Sequence, residues 1–263
     1  CYGGVQSYPS RTKDVDDVDF STGSVGLGVA ITSFASLIQD YISHKKWGKD
    51  LQPGRMVALM GAAELDEGNI YECLQEGWKH NLQNVWWIID YNRQSLDGII
   101  HEGLWERAEK IFEAFGWQVV RVKYGRLQRA AFAEPGGDKL QAWIDACPNQ
   151  DYSALTYMGG ARWRERLMQD LGDQGDVSAL LDRRSDTELA ELMENLGGNC
   201  VSTMAAEFAA IDHERPVCFL AYTIKGWGTP IAGHKDNHGG LMTPGQMANW
   251  QEQMGVRKGH EWE

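Results

Sequence analysis

Apolar positions along this chain alternate between two rhythms. From Val25 to about Lys46 they recur at helical spacing (Val29, Ile31, Phe34, Leu37, Ile38, Tyr41), which predicts an amphipathic helix. Met56 to Met60 is a continuous apolar run ended by Gly61, the pattern of a buried strand. A helix is predicted from about Asn69 to His80, with Ile70, Cys73, Leu74 and Gly77 on one face. Val85–Asp90 reads as a second buried strand, Leu104–Phe115 as a helix, Gln118–Lys123 as a third strand and Val217–Tyr222 as a fourth. Strands that alternate with helices predict a doubly wound, mostly parallel α/β sheet with helices on both faces. Residues 125–200 break the rhythm with short amphipathic pieces at Lys139–Cys147, Arg162–Leu171 and Asp186–Leu196. They are read as a helical insertion in a single domain over 1–263. Residues 1–23, with Gly3-Gly4 and Tyr8-Pro9-Ser10, are polar and turn-rich and suit an extended surface segment.

Composition narrows the function classes. The chain has 263 residues, 43% hydrophobic content and a net charge of -12. That acidity disfavours nucleic acid and anionic membrane as partners. No window approaches the ~20 apolar residues of a membrane span, and no signal peptide is visible. Five cysteines (Cys1, Cys73, Cys147, Cys200, Cys218) lie far apart with no CxxC pair, as expected for reduced thiols in the cytoplasm. A start at Cys1 fits a processed product, an excised domain or the ordered part of something longer.

In open α/β sheets ligands bind beyond the carboxyl ends of the strands. Four polar or Gly-rich segments fall there: Gly61–Glu67, Tyr91–Gly98, Thr223–Gly228 and Ala232–Gly240. Taken singly, each has an ordinary reading. Gly61-Ala62-Ala63 is a strand-to-helix turn, and Glu64, Asp66 and Glu67 suit a first helical turn. Asn92 and His238 are loop residues, and Lys225 is a surface lysine. Taken together, Asn, Asp, Lys and His at one rim suit a phosphate-bearing ligand with a hard cation.

The order and spacing resemble the thiamine diphosphate fingerprint, in which a Gly-Asp-Gly turn and an Asn 30 positions on hold a divalent metal. Several segments resemble the homodimeric-type pyruvate dehydrogenase decarboxylase component of the transketolase superfamily. They are Gly3–Pro9, Ser21–Gly28, Glu64–Glu67, Asn92 with Gln94–Gly98, and Tyr222–Gly228. The resemblance implies thiamine diphosphate and Mg²⁺ as cofactors. It implies that the Ser24-Val25-Gly26 backbone touches the aminopyrimidine and that Gly61, Ala62, Ala63 and Glu64 form the diphosphate turn. Asn92 and the backbone near Gln94 would ligate the metal. His238 and Lys225 would serve the reacting centre. Ala62 stands where the family has its metal-binding Asp, and a methyl cannot ligate.

The family binds its cofactor between this module and a pyrimidine-binding domain or subunit, in a homodimer or heterotetramer. Neither that domain nor the family's N-terminal segment is found in the 263 residues. The implied reaction is decarboxylation of a 2-oxo acid such as pyruvate, with transfer to the lipoyl acyltransferase component of a dehydrogenase complex. Two other readings stay open: the N-terminal subunit of a split transketolase, with Arg93 and Lys235 as the obvious sugar-phosphate cations, and a non-catalytic scaffold partner. The loop 229–242 is expected to order over bound diphosphate.

Overall fold

A computed structural model describes residues 10–15, 17–48, 52–95, 98–101 and 103–261. The expected surface segment before Ser10, the Leu96-Asp97 pair and Cys1 lie outside the described residues. Four parallel strands form the sheet, β1 (Met56–Gly61), β2 (Val85–Tyr91), β5 (Gln118–Val122) and β6 (Val217–Tyr222), in the order β1-β2-β6-β5. A two-stranded antiparallel ribbon, β3 (Gln94–Ser95) with β4 (Gly98–Ile99), extends from the end of β2.

Alternating strand residues feed two cores. Trp87 and Ile89 of β2, with Cys218 and Leu220 of β6, pack under α1 (Leu27–His44), α2 (Gly68–Lys79) and α3 (Leu104–Ala114). Trp86, Val217 and Phe219 face the other way, against Met204 and Phe208 of α10 (Val201–Ala209). Both faces of the central strands are therefore dry, which is why they read as continuous apolar runs. β1 departs from the buried-strand expectation. It is the sheet's edge, and Val57 and Leu59, on the face that α10 leaves open, are 49% and 74% exposed. An apolar run reports what a strand is made of, not whether a neighbour covers it.

Between β5 and β6 lie α4 (Arg126–Phe132), α5 (Gly137–Ala146), α6 (Asn149–Met158), α7 (Gly160–Leu171), α8 (Gly175–Asp182) and α9 (Asp186–Glu194). They enclose a third core, centred on Tyr152, Trp163, Leu167, Leu189 and Met193, which reaches the sheet through Ile224 and Tyr222. A capping box at Ser185 and Glu188 starts α9, and another at Thr243 and Gln246 starts α11 (Pro244–Gln253). Cys73, Cys147, Cys200 and Cys218 are free thiols, and burial pushes Cys73 up to about 11.

Trp87 ties the first core together. Its indole lies 4.5 Å from Trp117 and edge-on to Phe112, and its N–H donates to Thr32 Oγ at 3.1 Å. Trp87→Phe is expected to cost about 1–2 kcal/mol in denaturant unfolding, from lost volume and the lost indole hydrogen bond, while the Thr32 hydroxyl keeps its donation to the Val29 carbonyl at 2.6 Å.

The helical region should be acid-sensitive. Arg184 and Arg183 hold the Glu134 carboxyl below its ordinary value of 4.5. Arg166 and Trp143 hold Asp170 below 3.8. Depressed folded-state values stabilise the fold fully above the unfolded-state pKa, and that contribution is lost as pH falls through the folded-state value. The melting temperature is expected to drop between about pH 5 and 3, and to drop less in Glu134→Gln, which has already lost this linkage. Parallel pH–stability curves for the two proteins would count against the assignment.

Candidate functional site

The carboxyl ends of β1, β2 and β6 form one rim, with Gly61 paired to Asp90 and Tyr91 paired to Tyr222. Just past β2, Asn92 makes a local turn. Its side-chain oxygen accepts the Gln94 N–H at 3.1 Å, and its amide nitrogen donates to Asp90 Oδ2 at 2.8 Å. The Thr223 hydroxyl donates to the other Asp90 oxygen, and the Thr223 N–H donates to the Tyr91 carbonyl at 3.0 Å. Asp90 and Thr223, 133 residues apart, are thereby locked together at the rim.

Arg93 sits at the tip of that turn with φ 68°, a left-handed conformation unusual for a residue with a Cβ. The turn sends its side chain inward, where it is only 5% exposed. Its Nη1 donates to the Thr223 carbonyl at 3.1 Å, and the guanidinium stacks 4.2 Å from the centre of the Tyr152 ring. Burial pushes the Tyr152 phenol up to about 12, so it stays neutral under the cation. Arg93, Asn92, Tyr152, Thr223 and Lys225 line one narrow crevice.

The second part of the rim is the turn after β1. Ala62–Asp66 form a single 3-10 helix that packs against β1, β2 and the β3 strand of the ribbon. Glu64 reaches out of it to accept the Gly26 N–H at 3.0 Å. Gly26 has φ 78°, and a Cβ there would lie 2.6 Å from Asn69 Oδ1, so both the turn and the close approach require glycine. Ser24, Val25, Gly28 and Glu64 face a groove of about 1060 Å³ that runs along the exposed side of Val57 and Leu59.

The expected site residues therefore fall into three groups. Ser24, Val25, Gly26 and Glu64 meet at the groove, with Gly61, Ala62 and Ala63 on the turn behind Glu64. Asn92 and Lys225 meet at the crevice, with Gln94 beside them on β3. His238 joins neither cavity. It is exposed on its loop, whose neighbouring Asn237 side chain donates to the carbonyls of Lys225 and Ile231 at 2.8 and 3.3 Å. Sequence reasoning passed over Asp90, Tyr152 and Thr223 as site residues and treated Arg93 as a cation at a sugar-phosphate mouth. The acid closing an otherwise apolar β2 was the one available signal for Asp90.

The donor set does not fit a divalent cation. Ala62 presents a methyl that is 6% exposed, and the Asn92 oxygen, with one lone pair taken by a backbone N–H, is a single neutral donor. Among the described residues no three His, Cys, Asp or Glu side chains converge on a point. Mg²⁺ seeks six oxygens and normally one or two carboxylates. Organic cofactor binding is a different matter, since the Ser24-Val25-Gly26 turn opens on the groove and cations line the crevice.

Residues 7–133 match the family model for the transketolase thiamine diphosphate binding domain. Those residues carry the thiamine diphosphate-binding domain of the transketolase superfamily. It is 28% identical over 241 residues to the pyruvate dehydrogenase E1 component of Mycobacterium tuberculosis, covering 90% of this chain and 25% of that protein. To the component of the same name from Escherichia coli (strain K12) it is 26% identical over 238 residues, covering 89% of this chain and 26% of the relative. The chain thus spans about a quarter of the length of these superfamily members. Among solved structures, a transketolase from Campylobacter jejuni superposes with TM-score 0.52 at 19% identity, covering 90% of this chain and 26% of that one. A transketolase mutant from Pichia stipitis superposes with TM-score 0.57 at 15% identity, covering 96% of this chain and 27% of that one. At these identities the superpositions show a shared fold. Among the described residues no helix is long and apolar enough to cross a membrane.

Proposed function

We propose that this chain is the thiamine diphosphate-binding module of a 2-oxo acid dehydrogenase decarboxylase component, with pyruvate the leading substrate. The observation that carries the reading is the alignment with pyruvate dehydrogenase components over 90% of the chain, which runs well beyond the residues the family model matches. Thiamine diphosphate, when bound, supplies the nucleophilic carbon that cleaves a 2-oxo acid, and the protein supplies position and electrostatics. The Val25 backbone, held open between Gly26 and Ser24 by the Glu64 contact, presents the groove-side surface to the cofactor's ring. Arg93 and Lys225 face its anionic end. The 229–242 loop, with His238 exposed on it, closes over the site and brings His238 to the reacting centre. A pyrimidine-binding domain or subunit completes the site in a homodimer or heterotetramer, and a lipoyl acyltransferase component receives the product.

A transketolase activity, with ketol transfer between sugars, is the second reading. It is favoured by the solved transketolases that share the fold. The test is turnover by the chain in its native assembly. Pyruvate-dependent reduction of an artificial electron acceptor that requires thiamine diphosphate supports the first reading. Ketol transfer between sugar phosphates without pyruvate oxidation would replace it with the second. No thiamine diphosphate binding at all would leave a scaffold.

A further inference from the structure

We propose that the crevice between the ends of β2 and β6 grips the cofactor's diphosphate directly through the Arg93 guanidinium, without a divalent metal. The proposal rests on the thiamine diphosphate reading above and specifies how that site handles charge. Its starting point is an imbalance. Arg93 is buried, yet among the described residues its guanidinium forms no ion pair, and its contacts are a carbonyl and the Tyr152 and Tyr222 rings. A buried cation without a counter-charge is costly, and buried charges are normally paired.

The nearest carboxylate in sequence, Asp90, has both oxygens engaged by Asn92 and Thr223 and does not line the crevice. Lys225 adds a second cationic side chain to the lining. Guanidinium is suited to this task because its planar fork matches two phosphate oxygens at once. The same rim offers a metal neither a carboxylate at position 62 nor a convergent acidic cluster. Positive charge at the rim thus resides in a side chain. A further buried group stands ready nearby: both polar atoms of the Gln94 amide lack a partner, and that side chain is 3% exposed. The crevice is too narrow for a water molecule as it stands. Ligand entry therefore parts the Thr223–Lys225 segment from α6.

The test is calorimetric titration of thiamine diphosphate, and separately of inorganic pyrophosphate, into the native assembly with Mg²⁺ or with EDTA. The expected result is an affinity that changes by less than about threefold on chelation, and by at least about tenfold in Arg93→Met. Arg93→Lys should retain part of the binding, since it keeps the charge and loses the fork. If Arg93→Met does not fold, the wild-type chelator comparison and Arg93→Lys still decide. Thiamine diphosphate binding that vanishes in EDTA and ignores Arg93 would overturn this proposal and leave the functional reading standing. Pyrophosphate binding through Arg93 with no response to thiamine diphosphate would overturn the functional reading and the cofactor assignment made here, leaving only a diphosphate site at Arg93. No binding of either probe would overturn both.

Discussion

Ala62→Asp is expected to convert the rim into a metal-dependent one, raising thiamine diphosphate affinity in Mg²⁺ by about 10- to 100-fold and leaving it unimproved in EDTA. Residue 62 follows Gly61, which pairs with Asp90, so the new carboxylate enters next to an existing one. The site is buried, and Ala62 itself is 6% exposed. An uncompensated buried carboxylate loses hydration and repels its neighbour, so the unliganded variant should be less stable than wild type by about 1–3 kcal/mol. Mg²⁺ with thiamine diphosphate should reverse the sign, because the cation turns both liabilities into attractions. Thermal melts with each ligand alone and together separate these contributions, and calorimetry gives the affinity. Equal affinities for wild type and variant, with Mg²⁺ present, would mean that the turn after β1 is not the place where this family holds its metal. The prediction also bears on Arg93. If the guanidinium carries the charge in the natural protein, Arg93→Met should be far less damaging in the Ala62→Asp background.

The strands and their flanking helices were legible in the sequence because burial on both faces writes a continuous apolar run, and burial on one face writes a helical period. Those patterns located β2 and β6 to within a residue, and α1 and α2 to within about two. They could not distinguish edge from centre, which is why β1, with Leu59 exposed, looked the same as β2. They also missed the β3–β4 ribbon and the 3-10 turn, elements of two to five residues that are too short to express a period. The rim was partly legible for a different reason. Asn92, Gly26 and the Gly61 turn belong to segments that resemble a family, and the structure adds that Gly26 is joined to Glu64. What no local pattern carries is pairing at a distance. Asp90 with Thr223, and Arg93 with Tyr152, exist only once the chain from β5 through α4–α9 has folded back onto the sheet. The left-handed backbone at Arg93 is equally non-local, because an arginine adopts it only where the surrounding turn and its buried partners hold it there.

That dependence makes the helical region between β5 and β6 the place where one methyl should do most damage. In Gly160→Ala, at the start of α7, the added Cβ would lie 1.8 Å from the Asp186 carbonyl oxygen and 2.5 Å from its carbon. Both are backbone atoms at the start of α9, so no side-chain rotation relieves the overlap. α7 and α9 must separate, although Arg164 of α7 clamps them by donating to Asp186 Oδ1 at 2.6 Å, and it also holds α8 through the Leu181 carbonyl at 2.9 Å. Separation would loosen the core around Trp163, Leu167 and Leu189. Overpacking of this kind, with a main-chain shift forced on two helices, should cost about 3 kcal/mol or more. Gly175 is the control. It too begins a helix, α8, but a Cβ there meets nothing within 4 Å and its φ is not positive. Gly175→Ala should be neutral or stabilise by about 0.4–1 kcal/mol through reduced entropy of the unfolded chain. Denaturant unfolding of the two variants beside wild type reads both signs at once. A functional consequence should follow the structural one: Tyr152 belongs to the loosened core and supports Arg93, so Gly160→Ala should weaken pyrophosphate binding at temperatures well below its own melting point. If Gly160→Ala matched Gly175→Ala in stability, the tight approach of α7 to α9 would not exist in solution.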